Sequence, residues 1–491
     1  MRKSVVVSLS SLALALSFSA ANAASLQEAA TALRAADAKT LEFSGSGHWY
    51  QFGQAPIPGG PWPQFEVSSY NAAVNFSAGA ERVQWTRIQT VDSNRARPAP
   101  TEQKLDWYVS GDKAWNVAPP PNSPPGTAPT PTAAPASVEE RAAEIWTTPQ
   151  GFVKAAIANN AKSEPVNDGV EISFSVGGKY RYVGRIDAAN HVAWIRTWID
   201  TPVLGDTLVE TSFRDYKDFG GVQFPSEITR FEGGYPILHL KIASAKLDTP
   251  VVLPVPASVA ENPSPAVNVT SNKLADGVYY LTGGTHHSVA IEQKDHWVLV
   301  EAPLNEERSL ALIKKLEELS PNKPIKYVVS SHVHFDHSGG LRTLVDAGAI
   351  VVAHELDKPY FEKAWAEPHT LRPDKLSQSK KAAKFETWAD KYVLSDGVRN
   401  IEIHRIAGSG HSDDLDLVYL PKEKVLVEAD AYTPLAADAP PPKTPNPYSV
   451  NLYENIGRLK LDVAQIAALH GPRVATLNDL RAAIGQPTLS Q

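Results

Sequence analysis

The sequence contains no cysteine and a single methionine, Met1, among its 491 residues. The absence of cysteine excludes disulfide bonds, thiolate metal ligands and a cysteine nucleophile. The sequence also has no excess of basic residues, since Lys and Arg total 47 against 54 Asp and Glu, a formal net charge of -7. Because proteins that bind nucleic acid usually carry a basic surface, we expect no nucleic-acid partner.

After residue 23 the sequence lacks any apolar run long enough to cross a membrane. Before it, Arg2 and Lys3 precede the apolar run Val5–Phe18, and residues 21–23 read Ala-Asn-Ala. This order is typical of a signal peptide, and the run is shorter than the roughly 20 residues of a spanning helix. We therefore predict a signal peptide over residues 1–23 and a periplasmic or secreted mature protein without a transmembrane segment.

The remaining chain is long enough for two or three domains, and 43% hydrophobic residues give it a globular composition. From about Leu41 to Leu247, short runs alternate between apolar and polar residues, which indicates antiparallel strands. Two segments, Val138–Ile145 and Pro149–Ala158, favour helix instead. We predict a β-rich antiparallel N-terminal domain over residues 24–255.

Two proline-rich segments interrupt the pattern. Residues 118–136 predict a stiff, exposed insert that cannot join a sheet, because proline lacks the N–H of a strand. The second segment indicates a linker over residues 256–272. After it, strands such as Ile325–Ser330 alternate with helices such as Glu306–Leu319, up to a last clear helix predicted at Ile456–Leu469. This alternation predicts a layered domain of helices and strands over residues 273–491.

Side chains that suit a metal ion follow the strand Ile325–Ser330. The chain there reads His332-Val333-His334-Phe335-Asp336-His337, and imidazole and carboxylate are ligands of zinc, iron and manganese. Three more candidates, each near the end of a predicted element, are His411, Asp430 and His470. A single histidine would more often be an ordinary core residue, but the whole ordered set indicates a metal site.

The order His-x-His-x-Asp-His, then His, Asp and His, resembles the metallo-β-lactamase superfamily from about Leu274 onward. The resemblance implies an α+β fold, an αββα sandwich of two sheets with helices outside. It implies two divalent metal ions, zinc first, with iron or manganese as alternatives. One ion would take His332, His334 and His411, and the other Asp336, His337 and His470, with Asp430 between them. Glu301 would support the metal loop.

The same resemblance implies a metal-dependent hydrolase, and the predicted signal peptide implies that it is exported. A metal-bridging hydroxide would attack a small ester, lactone, lactam or sulfate, and Asp336 would be the catalytic residue that orients the nucleophile. No other cofactor is implied. Asp430 counts against the lactamase groups, and the short segment after His470 counts against glyoxalase II-like and alkylsulfatase-like enzymes. The lactonase-like group fits the ligand set best.

The sequence leaves the roles of several further side chains open. Tyr432, Tyr448 and Tyr453 lie in a proline-rich loop that could wall the pocket, and each could donate to an oxyanion or simply pack. His286 and His287 could face the pocket, although a loop or core position is the stronger expectation for both.

The N-terminal region resembles periplasmic lipoprotein-carrier-like sheets in the stretch Phe219–Pro225, the strand Ile228–Phe231 and the glycine pair after it. This likeness gives one alternative to a hydrolase, a periplasmic carrier whose N-terminal sheet binds an apolar ligand. A second alternative is an iron-dependent redox enzyme on the metallo-β-lactamase fold. The sequence does not determine the substrate or the oligomeric state.

Overall fold

The computed structural model describes residues 24–120, 126–261 and 266–487. The predicted signal peptide, residues 1–23, lies outside the described residues. Within this part of the chain, no helix combines the length and the apolar composition needed to cross a membrane. The described residues form three β-sheets with helices packed against them.

One antiparallel sheet of 13 strands makes up most of the N-terminal region, in the order β6-β5-β4-β3-β2-β1-β13-β12-β11-β10-β9-β8-β7. Its strands are β1 (Thr40–Tyr50), β2 (Gln64–Asn75), β3 (Ala80–Gln89), β4 (Gln103–Ser110), β5 (Lys113–Ala118), β6 (Thr130–Ala133), β7 (Lys162–Val166), β8 (Gly169–Val176), β9 (Tyr180–Asp187), β10 (Val192–Thr201), β11 (Gly205–Asp218), β12 (Gln223–Glu232) and β13 (Tyr235–Leu247). The first and last strands of the region, β1 and β13, pair with each other in the middle of the sheet. The predicted antiparallel, β-rich N-terminal region is confirmed.

Three helices accompany this sheet: α1 (Leu26–Ala32), α2 (Val138–Ile145) and α3 (Pro149–Ala158). Thr148 caps the N-terminus of helix α3, since its side chain accepts the Gly151 N–H, and the helix buries Phe152 completely. Gly184 in β9 gives room for that ring, because a Cβ there would lie 2.4 Å from it. One face of the sheet is therefore packed by its own helices.

The proline-rich insert contains a short strand, so the prediction that this segment cannot join a sheet is wrong. Strand β6 pairs antiparallel with β5, and Pro131 lies opposite Val117. Proline is tolerated there because β6 is an edge strand, which has a neighbour on one side only. A turn of 3-10 helix follows at Pro135–Ser137.

Two further sheets form the C-terminal region. The seven-stranded sheet contains, in spatial order, β14 (Thr270–Ala275), β15 (Val278–Thr282), β16 (Ser288–Glu292), β17 (Trp297–Val300), β18 (Ile325–Val329), β19 (Ile350–His354) and β20 (Phe385–Trp388). The six-stranded sheet contains β21 (Lys391–Ser395), β22 (Asn400–Arg405), β23 (Asp416–Leu420), β24 (Val425–Glu428), β25 (Gln465–Ala468) and β26 (Ala475–Thr476). Strands β17 to β20 run parallel, and so do β24 and β25.

Helices accompany both sheets: α5 (Glu306–Leu319), α6 (Phe335–Ser338), α7 (Leu341–Asp346), α8 (Asp357–Ala364), α9 (Lys375–Ser379), α10 (Pro447–Leu459) and α11 (Leu477–Ala483). The short helix α4 (Ala257–Ala260) instead contacts β5 and β6 of the N-terminal sheet. One apolar cluster joins the two sheets, for example Val300 with Val427, and it extends to Leu452 of α10. A second cluster joins the seven-stranded sheet to α5 and α7 through Leu299, Leu312 and Leu344. The predicted αββα sandwich is thereby confirmed.

The predicted last helix, Ile456–Leu469, is wrong in its bounds. Helix α10 ends earlier, with Lys460 in the left-handed conformation at a φ of 56°. The buried run Ile466-Ala467-Ala468 then forms strand β25, between β24 and β26. A short buried run is ambiguous between helix and strand, and the pairing with β24 decides it. His470 therefore follows a strand, as His332 does.

Candidate metal centre

The first metal-ligand candidates lie in the segment after β18, a parallel strand between β17 and β19. At the carboxyl end of this strand the chain turns, and residues Phe335–Ser338 form the single turn α6. His332, His334 and His337 are all at most 1% exposed. The tight turn thus directs three imidazoles to the edge where α/β folds commonly bind ligands.

One group of ligand atoms contains His332, His334, His411 and Asp430. The Nε2 of His411 lies 3.3 Å from His332 Nε2, 3.0 Å from His334 Nδ1 and 2.9 Å from Asp430 Oδ2. His411 comes from the segment between β22 and β23, and Asp430 directly follows β24. The six-stranded sheet thus completes a cluster that the seven-stranded sheet begins.

A second group of ligand atoms contains Asp336, His337 and His470. His470 Nε2 lies 3.0 Å from His337 Nε2, and His337 Nε2 lies 3.8 Å from Asp336 Oδ2. Asp430 contacts this group as well, because its Oδ1 lies 3.0 Å from His470 Nε2 and 3.2 Å from His337 Nε2. All seven sequence-predicted ligands therefore meet at one place, in two adjoining groups.

Asp430 faces both groups because its two carboxylate oxygens point to different sides. The backbone after it is held by Glu428, whose Oε2 accepts the N–H groups of Ala431 and Tyr432 at 3.0 and 2.9 Å. Burial opposes ionisation of Asp430, but the neighbouring His337 and His411 hold its pKa well below the usual value. Asp430 is therefore a fixed carboxylate with one oxygen for each group.

In two of the histidines, one ring nitrogen is hydrogen-bonded away from the cluster, which fixes the other nitrogen toward it. His334 Nε2 lies 3.0 Å from the carbonyl oxygen of Ala55, and His337 Nδ1 lies 2.9 Å from Glu301 Oε2. Both partners can only accept a hydrogen bond while Glu301 is ionised, so each ring donates outward. When a ring binds a metal ion it is neutral, and its inward nitrogen would then supply the lone pair that a metal ligand requires.

Glu301 directly follows β17 and is completely buried. Its Oε2 also accepts a hydrogen bond of 2.6 Å from Ser331 Oγ, next to His332. The backbone at Glu301 has a φ of 77°, an uncommon conformation for a residue with a side chain. Glu301 thus lies where the sequence placed it, behind the metal loop, and it orients His337.

The structure separates His286 from His287. His286 Nε2 lies 3.1 Å from Asp336 Oδ2, so His286 belongs to the second group of ligand atoms. His287 is buried beside Tyr280 and lies 2.8 Å from the carbonyl oxygen of Gly471 through its Nε2. The expectation of a loop or core position is therefore correct for His287 and wrong for His286.

The N-terminal region supplies part of the site through the loop between β1 and β2. Gln54 Nε2 donates to Asp336 Oδ1 at 2.8 Å. The carbonyl oxygen of Gly53 accepts from the Phe335 N–H at 3.2 Å, and the Phe335 ring packs edge-on against Phe52. Gly53 must stay glycine, since its φ is +70° and a Cβ would lie 2.4 Å from the Phe335 ring. No local sequence signal indicates this contact.

A second loop of the same sheet, between β3 and β4, contacts the segment that holds His411. Arg97 Nε donates to the carbonyl oxygen of Gly410 at 3.1 Å, and Arg95 forms an ion pair of 2.9 Å with Asp413. The backbones approach so closely that a Cβ on Gly410 would lie 1.9 Å from the Ala96 oxygen. Both groups of candidate ligands therefore contact loops of the N-terminal sheet.

The three candidate tyrosines differ in position. The ring of Tyr448 lies 5.4 Å from that of His411, centroid to centroid. The Tyr453 hydroxyl contacts Arg481 in α11, and Tyr432 is buried behind Glu428. Of these three, Tyr448 is the one that borders a candidate ligand.

The donor set fits divalent metal ions. Two groups of imidazole and carboxylate atoms converge, and two rings present lone pairs inward. Lone pairs that face each other repel unless a cation or proton lies between them, and zinc, iron and manganese accept such ligands. The arrangement can therefore hold two ions side by side.

Parts of this chain are similar to known proteins. Among solved structures, the chain is similar to a metallo-beta-lactamase from Pontibacter korlensis, with 19% identity and a TM-score of 0.34, covering 44% of this chain and 98% of that one. It is also similar to the DIM-1 metallo-beta-lactamase, with 18% identity and a TM-score of 0.33, covering 44% of this chain and 96% of that one. Residues 281–463 match the family described as the metallo-beta-lactamase superfamily. The C-terminal region of the chain, over these residues, therefore belongs to the metallo-beta-lactamase superfamily.

Proposed function

We propose that the protein is an exported, binuclear metal-dependent hydrolase of a small ester, lactone, lactam or sulfate. Homologues in the superfamily that residues 281–463 match are metal-dependent hydrolases. The observation that carries the binuclear part is Asp430, whose two oxygens lie beside two separate groups of ligand atoms. Zinc is the first choice, since the ligands are mostly imidazole.

The residues of the two groups have distinct roles in this proposal. His332, His334 and His411 would hold the first ion, and Asp336, His337 and His470 the second. Bound divalent ions acidify water and polarise the bond to be broken. The side chain of Asp336 is 34% exposed and is the most accessible of these ligands, so it is the one that can orient a water molecule beside the substrate.

The substrate side of the site is marked by Tyr448 and Arg97, which lie next to His411. Burial raises the pKa of Tyr448, so its phenol stays protonated at neutral pH and can donate to a developing negative charge. Arg97 holds the backbone of Gly410 and brings a positive charge to the same side. A small acyl or sulfuryl oxygen fits these donors.

The experiment that tests the proposal measures metal content by elemental mass spectrometry, together with a hydrolysis screen before and after chelation. About two ions per chain and chelator-sensitive turnover of one substrate class are expected. The variant Asp430→Asn should lose turnover and at least one ion. Asp462→Asn is the matched control, because Asp462 is a surface carboxylate that is 73% exposed. A chain that takes up no ion would refute the proposal.

A further inference from the structure

A further imidazole, that of His286, lies at the second group of ligand atoms. Its ring centroid is 4.2 Å from that of His470 and 5.3 Å from that of His337. The ligand atoms of His286, Asp336, His337 and His470 all lie within 4.8 Å of one another. Four side chains from three separate segments thus converge on one point.

The main chain holds His286 in this position. Residue 286 forms an isolated antiparallel bridge with His470, and the next N–H donates to the Leu469 oxygen at 2.9 Å. The buried Arg308 guanidinium donates to the carbonyl oxygens of His286 and Thr282 at 3.3 and 3.4 Å. The two histidines that face each other are therefore set by backbone pairing.

The surroundings of the His286 ring match those of a metal-bound imidazole. Its Nδ1 lies 2.8 Å from the Thr285 hydroxyl oxygen, and its Nε2 faces Asp336. The side chain is only 12% exposed. A ligating histidine commonly hydrogen-bonds through one ring nitrogen while the other faces the ion.

The distances also fit a shared ion. Ligand atoms that bind one ion at about 2.1 Å lie about 3.0–3.4 Å apart at right or tetrahedral angles. His286 Nε2 is 3.1 Å from Asp336 Oδ2, and His470 Nε2 is 3.0 Å from His337 Nε2. The contact of His286 is thus as close as the contact between two sequence-predicted ligands.

We propose that His286 is an additional protein ligand of the second metal ion, an inference that rests on the proposed binuclear function. The second ion would then have five protein ligands: His286, Asp336, His337, His470 and Asp430. The first ion would have four: His332, His334, His411 and Asp430. The first ion would then have fewer protein donors, and Tyr448 and Arg97 lie on its side, so that side would be the one open to a substrate oxygen.

The test uses the full chain loaded with cobalt(II), which shifts the ring N–H proton signal of every coordinated histidine in a proton NMR spectrum. Six such exchangeable signals are expected, one for each histidine of the two groups. His286→Gln should lose one signal and bind its second ion at least about tenfold more weakly. His239→Gln is the matched control, because His239 lies on the N-terminal sheet and contacts Glu227.

The outcomes separate this inference from the proposed function. Two bound ions with the same signals in the wild type and in His286→Gln would overturn the inference and leave the hydrolase proposal standing. If the variant does not fold, the wild-type count still decides, since five shifted signals exclude His286 as a ligand. A wild-type chain that binds no ion would overturn both.

Discussion

The contact between Gln54 and Asp336 allows a direct test of whether the N-terminal region takes part in catalysis. The change is Gln54→Ala, which removes the donor that lies 2.8 Å from Asp336 Oδ1. Asp336 would then keep its partner His286 on Oδ2 but lose its support on the other oxygen. The carboxylate would rotate more freely, and its orientation toward water would be less defined.

The size of the effect follows from the kind of bond. A hydrogen bond to a charged acceptor contributes about 1.5–3 kcal/mol, which corresponds to about 10- to 100-fold in a rate or a binding constant. Asp336 is 34% exposed, so water replaces part of the lost bond and the lower end applies. We expect kcat to fall about tenfold, with a smaller change in KM.

The assay measures kcat, KM and the affinity for the second ion in three variants. Gln54→Glu should be slower than Gln54→Ala, because a second carboxylate beside Asp336 adds repulsion. Gln51→Ala is the matched control, since Gln51 lies in the same loop and its backbone bonds survive the change. The reasoning would be refuted if Gln54→Ala and Gln51→Ala had the same kcat and the same metal affinity as the wild type.

Three further predictions concern metal affinity, packing and pH. Glu301→Gln should weaken binding of the second ion about 10- to 100-fold in a metal titration, because it removes the carboxylate that orients a ligating ring. Gly410→Ala should lower the free energy of unfolding by about 1–3 kcal/mol in a denaturant titration, since its Cβ meets the Ala96 oxygen. Burial raises the pKa of Asp200 to about 6, so the folded chain keeps a proton there that the unfolded chain loses above about pH 4. The free energy of unfolding therefore falls as the pH rises from about 4 to about 6. Asp200→Asn should raise the temperature midpoint of unfolding at about pH 8 but not at about pH 4.

Each of these predictions has an outcome that contradicts it. Unchanged metal affinity in Glu301→Gln would show that Ser331 alone orients the loop. Gly457→Ala is the control for Gly410→Ala, because nothing lies within 4 Å of a Cβ at Gly457. Equal losses in the two glycine variants would exclude the contact with Ala96 as the cause. If Asp200→Asn raised the unfolding midpoint equally at both pH values, ionisation of the buried carboxylate would be excluded as the cause.

The convergence of the candidate ligands could be predicted from the sequence because four of the seven are local. His332, His334, Asp336 and His337 occupy one short segment, and a strand followed by a tight turn places them together whatever surrounds them. Likewise the helix Glu306–Leu319 was predicted with its observed bounds, since Asn305 caps it and its apolar residues recur at helical spacing.

The parts that were missed depend on contacts between distant segments. His286 joins the site through backbone pairing with His470, and a pair of histidines in a glycine-rich turn carries no sign of that pairing. The strand β25 has the composition of a helix, and only its place beside β24 makes it extended. In such places tertiary packing overrides local preference.

The contacts between the β1–β2 loop and the metal loop also set the order in which the site is assembled. Gln54 and Asp336 are 282 positions apart, and Ala55 and His334 are 279 apart. During synthesis the loop emerges long before its partners, and its own sheet must hold it in shape until they fold. The entropy of closing so long a loop grows only slowly with length, so the separation delays the contact more than it weakens it. The orientation of His334 and Asp336 is therefore completed only when both regions have folded, and a half-made chain cannot carry the finished metal centre.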